Sequence, residues 1–175
     1  SSTEKRQRAA LIEAIKEKSY DQVIEEVAYT WFNRFCALRF MEVNGYLPGR
    51  VRVFTDENNA FKPQILAEAI HLEMEGLDRE KVFAYKEADA NDDLYKYLLI
   101  TQCNALSGVL PKMFQKIADA TELLFPDNLL REGNVLYQMI ETIPEEDWKD
   151  AVQIIGWLYQ YYNSEKKDEV NASLE

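Results

Sequence analysis

Residues 20–44 constrain the fold most, because they are apolar around far more than one stripe of a helix. Glycine follows at position 45, where it can serve as the C-cap of such a helix. A helix this apolar must be surrounded by other elements, so we predict that it is central to the core. On a helical wheel, the apolar half comprises Val23, Ile24, Val27, Ala28, Trp31, Phe32, Phe35, Leu38 and Met41, and the narrow polar side comprises Gln22, Glu26, Thr30, Asn33, Ala37 and Asn44.

Two charged residues, Arg39 and Glu42, fall inside the apolar half of this helix. They are three positions apart, so their side chains lie on the same face. Buried charges are costly unless they are paired. We therefore predict a structural buried ion pair, formed between Arg39 and Glu42 or between each of them and polar groups of another element. Glu42 is also the carboxylate to examine for a raised pKa.

The rest of the chain favours helices, because only six glycines and five prolines interrupt its 175 residues. We predict an all-α fold, an irregular multi-helix domain of seven to nine helices over residues 1–162. Residues 163–175 form a polar tail or linker. The alternation at 51–55 is compatible with one very short strand or hairpin. Further helices are predicted at 3–18, at 63–75, from 78, at 91–107, from 111, at 133–142 and from 144.

The charge and the composition exclude several classes of protein. The net charge is −11 and the pI is about 4.7, whereas a phosphate backbone is bound by a basic surface. No apolar run approaches the ~20 residues that span a bilayer, so we expect no membrane segment. The first 18 residues are charged and lack the apolar stretch of a signal peptide. With Cys36 and Cys103 expected as buried thiols, we expect a cytoplasmic protein.

Motifs that carry chemistry are missing from this sequence. It has no Gly-rich phosphate loop, no Cys-x-x-Cys and no His-Glu-x-x-His, and His71 is its single histidine. We therefore predict no catalytic, cofactor-binding or metal-binding residue. The candidate contact surface is the loop with Arg50 and Arg52, with Arg34 possible as a neighbour. These arginines are suited to contact DNA phosphates or a partner domain. The alternative is that they are solvated charges on a loop.

Two segments have an amino-acid sequence specific enough to indicate a family. They are WFNRFCALRFMEVNGYLP at residues 31–48 and IIGWLYQYYNSEKKDEV at residues 154–170. Both resemble the N-terminal helical region of PglX, the adenine-specific DNA methyltransferases of BREX phage-defence systems. Similar segments occur in related enzymes in which a methyltransferase is fused to a restriction nuclease, which is an alternative parent. The resemblance runs through most of the chain.

The resemblance implies a parent enzyme that transfers a methyl group from S-adenosylmethionine to N6 of an adenine flipped out of DNA. Such enzymes carry an Asn-Pro-Pro-aromatic motif and an aromatic-x-Gly-x-Gly turn. This sequence has neither, since all of its prolines are isolated and its glycines lie far apart. No catalytic or cofactor residue is carried over, so S-adenosylmethionine is implied only for the parent.

The same resemblance implies which partners this region has. We expect it to be a non-catalytic scaffold that packs against a downstream methyltransferase domain of the same chain. Residues 163–175 would then link the two. DNA is implied as a partner of the parent, together with other BREX components. The alternative function is a protein-interaction module that recruits those components.

Overall fold

The computed structural model describes residues 2–111, 113–114, 119–149, 153 and 156. In this part of the chain all regular structure is helical, which confirms the all-α prediction. The described ranges hold eight α-helices and one 3₁₀ turn at Pro48–Arg50, within the range of seven to nine helices that was expected. The helices are α1 (Ser2–Glu17), α2 (Tyr20–Val43), α3 (Gln64–Ala67), α4 (Arg79–Glu87), α5 (Asn91–Leu106), α6 (Asp119–Leu123), α7 (Val135–Thr142) and α8 (Glu145–Trp148).

The long helix α2 is the centre of the fold, as predicted. Ser19 caps its start by accepting a hydrogen bond from the backbone N–H of Gln22. From position 33 to position 42 every residue is buried, so other elements pack around the whole circumference of this half. The predicted polar side is therefore wrong at Asn33 and Ala37, which are buried, and the predicted apolar half is wrong at Ala28, which is exposed, and at Phe32, which is 53% exposed.

An aromatic cluster joins α2 to the segment that follows α6. The rings of Trp31 and Phe125 meet edge to face at 4.5 Å, and Phe35 contacts both Phe54 and Phe125. The indole N–H of Trp31 donates a 3.0 Å hydrogen bond to the backbone carbonyl of Thr121. Aromatic pairs of this geometry add to the free energy gained by burial. The cluster thus attaches a part of the chain about 90 residues away to the central helix.

Helix α5 forms the second wall of the core. Leu94, Leu98, Leu99 and Cys103 recur at helical spacing and are at most 1% exposed. The hydroxyl of Tyr95 on the same helix donates a 2.7 Å hydrogen bond to the backbone carbonyl of Val53. Helix α5 therefore contacts the loop after α2 through a polar bond as well as through apolar packing.

Three predicted elements differ in the structure. The helix expected at 63–75 ends at Ala67, because burial alternates with a period of two from His71 to Glu75, as in an extended segment. The helix expected from Pro111 begins, in the described range, at Asp119. The last helix is described from Glu145 to Trp148 and ends at its C-cap Lys149; of its predicted continuation only Gln153 and Gly156 are described, both as helical, and the tail at 163–175 lies outside the described residues. None of the helices in the described ranges is both long enough and apolar enough to span a bilayer.

Candidate functional site

The strongest polar cluster of the core is built on Arg39 and Glu42. Nη1 of Arg39 lies 2.7 Å from Oε1 of Glu42, and both side chains are fully buried. The same guanidinium donates to Oγ1 of Thr55 at 3.3 Å and to Oδ1 of Asn59 at 2.6 Å. The structure therefore combines both alternatives of the sequence analysis, because Arg39 bonds to its neighbour on α2 and to polar groups of the following loop.

The second carboxylate oxygen of Glu42 organises the segment after α2. It accepts hydrogen bonds from the backbone N–H groups of Val53 at 2.8 Å and of Phe54 at 2.9 Å. These are donors that a neighbouring strand would otherwise satisfy. The short strand proposed for 51–55 is therefore absent from the described residues, since the backbone bends at Val53 and Phe54 and both N–H groups bond to a carboxylate instead.

The pKa of Glu42 reflects two opposing effects. Burial disfavours the charged form and raises the pKa above its ordinary value of 4.5. The hydrogen bond from the backbone N–H of Phe54 and the positive charges of Arg39 and Arg52 act in the opposite direction. The hydrogen-bond donors and the two arginines therefore stabilise the negative charge of the carboxylate, whereas burial disfavours it. This is the arrangement of a buried ion pair.

A second ion pair connects the same loop to α8. Nη2 of Arg52 lies 3.1 Å from Oε1 of Glu145, and Nη1 lies 3.4 Å from Oε2. Nη1 also donates to Oγ1 of Thr55 at 2.9 Å, so the two arginines share one hydroxyl. Burial raises the pKa of Glu145, but the hydrogen bond and the charge of Arg52 outweigh it, and the pKa is lowered from 4.5. Arg52 therefore clamps the loop to the start of α8.

The three arginines named as candidate contacts have different surroundings. Arg34 is 3% exposed and its guanidinium lies 5.6 Å from the centroid of the Trp31 ring. Arg52 is engaged with Glu145. Arg50 is exposed, and so is the nearby Tyr46, which is 62% exposed. Among the three arginines, only Arg50 thus presents its charge at the surface.

Two thiols and one histidine lie outside the polar cluster. Cys36 and Cys103 are free thiols, and burial raises the pKa of Cys36 to about 11 and that of Cys103 to about 12. Such thiols are protonated at neutral pH and are poor nucleophiles. His71 is exposed. Within the described ranges, the histidines, cysteines and carboxylates form no group of three or more that could hold a metal ion.

Sequence reasoning missed several members of the polar cluster. Thr55 and Asn59 of the loop and Glu145 of α8 all bond to the two arginines. Asn59 occupies the left-handed backbone region with φ of 60°, which asparagine tolerates better than most residues. Nothing in the sequence pointed from Arg39 to the amide oxygen of Asn59.

The described residues thus form a helical fold with a buried polar cluster on Arg39 and Glu42. No protein-family model matches the chain. It is 40% identical over 169 residues to the adenine-specific methyltransferase BrxX of Escherichia coli O9:H4 (strain HS), covering 93% of this chain and 14% of that protein. It is 42% identical over 158 residues to the adenine-specific methyltransferase PglX of Lacticaseibacillus casei (strain Zhang), covering 83% of this chain and 13% of that protein.

The chain is therefore homologous, over most of its length, to one segment of the BREX adenine-specific methyltransferases named BrxX and PglX. This confirms the family resemblance seen in the sequence. The chain spans only about one seventh of the length of these relatives, whose names describe the whole proteins.

Proposed function

We propose that this chain is the helical scaffold of a longer, cytoplasmic, S-adenosylmethionine-dependent DNA adenine-N6 methyltransferase of a BREX phage-defence system. The observation that supports this most is the alignment with BrxX, which covers 93% of this chain but 14% of the relative. The missing Asn-Pro-Pro and Gly-x-Gly motifs agree with it, because the reaction then belongs to residues outside this chain. Base flipping and methyl transfer are functions of the whole enzyme.

The polar cluster supplies the rigidity that a scaffold needs. Glu42 holds two consecutive backbone N–H groups of the loop, and Arg52 binds Glu145 at the start of α8. The amide of Asn44 donates a 2.8 Å hydrogen bond to the backbone carbonyl of Trp148 at the other end of α8. Both ends of α8 are thus attached near the C-terminal end of α2, so whatever follows α8 continues from a defined position.

Arg50 is the residue through which this scaffold would contact DNA. It is exposed, and the loop that carries it is fixed on both sides by Tyr46 packing on Phe40 and by the bonds of Arg52. An arginine on a rigid loop binds a phosphate with little loss of conformational freedom. Because the chain carries a net charge of −11, this contact positions DNA locally and does not by itself give affinity.

A chimeric enzyme tests the proposed function. This chain replaces the aligned segment of E. coli BrxX, and adenine methylation of genomic DNA is measured in a strain that lacks the native gene. We expect methylation with the wild-type chain and with Glu13→Gln, whose side chain is 68% exposed, but not with Glu42→Gln. Titration of S-adenosylmethionine into the isolated chain should show no saturable binding. An inactive wild-type chimera, or saturable binding by the isolated chain, would contradict the proposal.

A further inference from the structure

An apolar groove lies along the N-terminal half of α2. Its volume is about 300 Å³, and it is open to solvent where Phe32 is 53% and Val135 is 47% exposed. Contiguous apolar surface of this kind on a soluble protein marks a contact with another polypeptide or ligand. The walls include Ile24, Ala28 and Phe32 of α2, Leu124 and Pro126 after α6, and Val135 at the start of α7.

The dimensions of the groove fit a helix. Its lining residues on α2 run from Ile24 to Phe35, which are twelve residues, and the eleven steps between them span about 16 Å at the rise of an α-helix. This is the length of about three helical turns. A partner helix in such a groove places anchors at positions i, i+3 or i+4, and i+7. The central anchor would pack against Phe32, the most exposed aromatic ring of the groove.

We propose that this groove holds an apolar helix from the part of the longer protein that lies outside this chain, an inference that rests on the proposed function. The length of the relatives supports this occupant, since this chain spans 14% of one and 13% of the other. Most of such a protein would therefore lie elsewhere, and an apolar groove on its scaffold is a place for it to pack.

Charge distinguishes this occupant from a second copy of the chain. Asp21 and Glu25 are exposed and lie on the same face of α2 as Phe32, because Glu25 follows Asp21 by four residues and Phe32 follows Glu25 by seven. Two copies, each with a net charge of −11, would bring carboxylates together at this rim. A helix with lysine or arginine beside its apolar stripe is complementary instead. The DNA-binding remainder of a methyltransferase needs a basic surface and can supply such a helix.

The experiment compares two exposed phenylalanines in the isolated chain and in the BrxX chimera. Phe32→Gln alters the groove, and Phe83→Gln on α4 is the matched control, because Phe83 is 48% exposed and lies outside the groove. Hydrogen exchange is measured on the amides of the N-terminal half of α2. In the chimera we expect these amides to exchange more slowly than in the isolated chain, and Phe32→Gln to accelerate them about tenfold, as expected when a central interface anchor is removed.

Each result decides between named alternatives. Equal hydrogen-exchange rates in the chimera and in the isolated chain, or equal effects of the two variants, would contradict the proposal that the groove holds a helix. The scaffold function would still stand if the chimera is active. An inactive wild-type chimera would overturn both. Size-exclusion chromatography with light scattering tests whether the groove binds a second copy of the chain. A wild-type dimer of the isolated chain that Phe32→Gln converts to a monomer would show that the groove binds another copy instead.

Discussion

Arg52 and Glu145 are 93 residues apart in the sequence, and their side chains meet through two hydrogen bonds of 3.1 and 3.4 Å. The pair is only partly exposed, at 16% and 19% of the two side chains. It joins the loop after α2 to the first residue of α8. Together with the bond from Asn44 to the carbonyl of Trp148, it makes the C-terminal end of α2 the attachment point for α8.

This ion pair makes part of the stability dependent on pH. The pKa of Glu145 is lowered from 4.5 in the folded chain, so the pair stabilises the fold above the unfolded-state pKa and loses its effect as the pH falls through the folded-state pKa. We expect Glu145→Gln to lower the free energy of unfolding by about 1 kcal/mol at pH 7. Below pH 4.5 the difference from wild type should shrink. Urea unfolding at several pH values measures it.

The control for this prediction is Glu146→Gln, which removes an exposed carboxylate one residue further along α8. It should change the free energy of unfolding little at any pH. A loss at Glu145→Gln that stays constant from pH 7 to pH 4 would show that the pair contributes packing alone.

Replacement of Glu42 by glutamine should be far more destabilising. The variant leaves Arg39 buried without its counter-charge, and replaces one carboxylate oxygen by an NH2 donor that must face either Arg39 or the amides of Val53 and Phe54. Removing one partner of a buried ion pair costs about 3–5 kcal/mol, so we expect a loss of this size in the free energy of unfolding. Denaturant titration followed by circular dichroism measures it. Glu13→Gln, which breaks an exposed pair with Lys16, is the matched control, and a loss for Glu42→Gln as small as for Glu13→Gln would be the contrary result.

The sequence sufficed to predict α2 and the position of its buried charges. A helix that is apolar over more than half of its circumference must lie at the centre of a small fold, where other elements cover it. The spacing of Arg39 and Glu42 puts both charges on one face. The exceptions lie on both sides of the wheel, because Ala28 and Phe32 of the predicted apolar half are exposed, and Asn33 and Ala37 of the predicted polar side are buried. A wheel assigns faces for the whole length of a helix, whereas here the surroundings change halfway along it.

The rest of the polar cluster depends on contacts that no local pattern encodes. Arg52 bonds to Glu145, which is one of 31 acidic residues in the sequence. Which of them it meets is determined by the path of the chain over 93 positions. Likewise, the alternation at 51–55 is that of a strand, but the backbone bends at Val53 and Phe54. The donors of this segment bond to Glu42 on α2, since that helix and not a second strand lies beside it.

The two thiols should be inert in the folded chain. Burial raises the pKa of Cys36 to about 11 and that of Cys103 to about 12, so only a small fraction of either is thiolate at pH 8. We expect slow alkylation by iodoacetamide under native conditions, with Cys36 at 7% exposure reacting before Cys103 at 1%. In urea both should react as fast as glutathione. Mass spectrometry of the labelled peptides measures both rates, and rapid native labelling of Cys103 would contradict the core packing.

Arg50 offers the sharpest test of a DNA contact. Its backbone lies in the left-handed region with φ of 56°, where alanine is strained as much as arginine, so Arg50→Ala should remove the charge with little change in stability. In the active chimera we expect this variant to weaken DNA binding equally for all sequences, and to reduce the slope of log affinity against log salt by about 1. Arg79→Ala is the control, because Arg79 is an exposed arginine on α4. Arg52→Ala is unsuitable as a probe, since it also breaks the bond to Glu145. If Arg50→Ala and Arg79→Ala bind DNA with the same affinity and the same salt slope, the loop after α2 does not contact a phosphate.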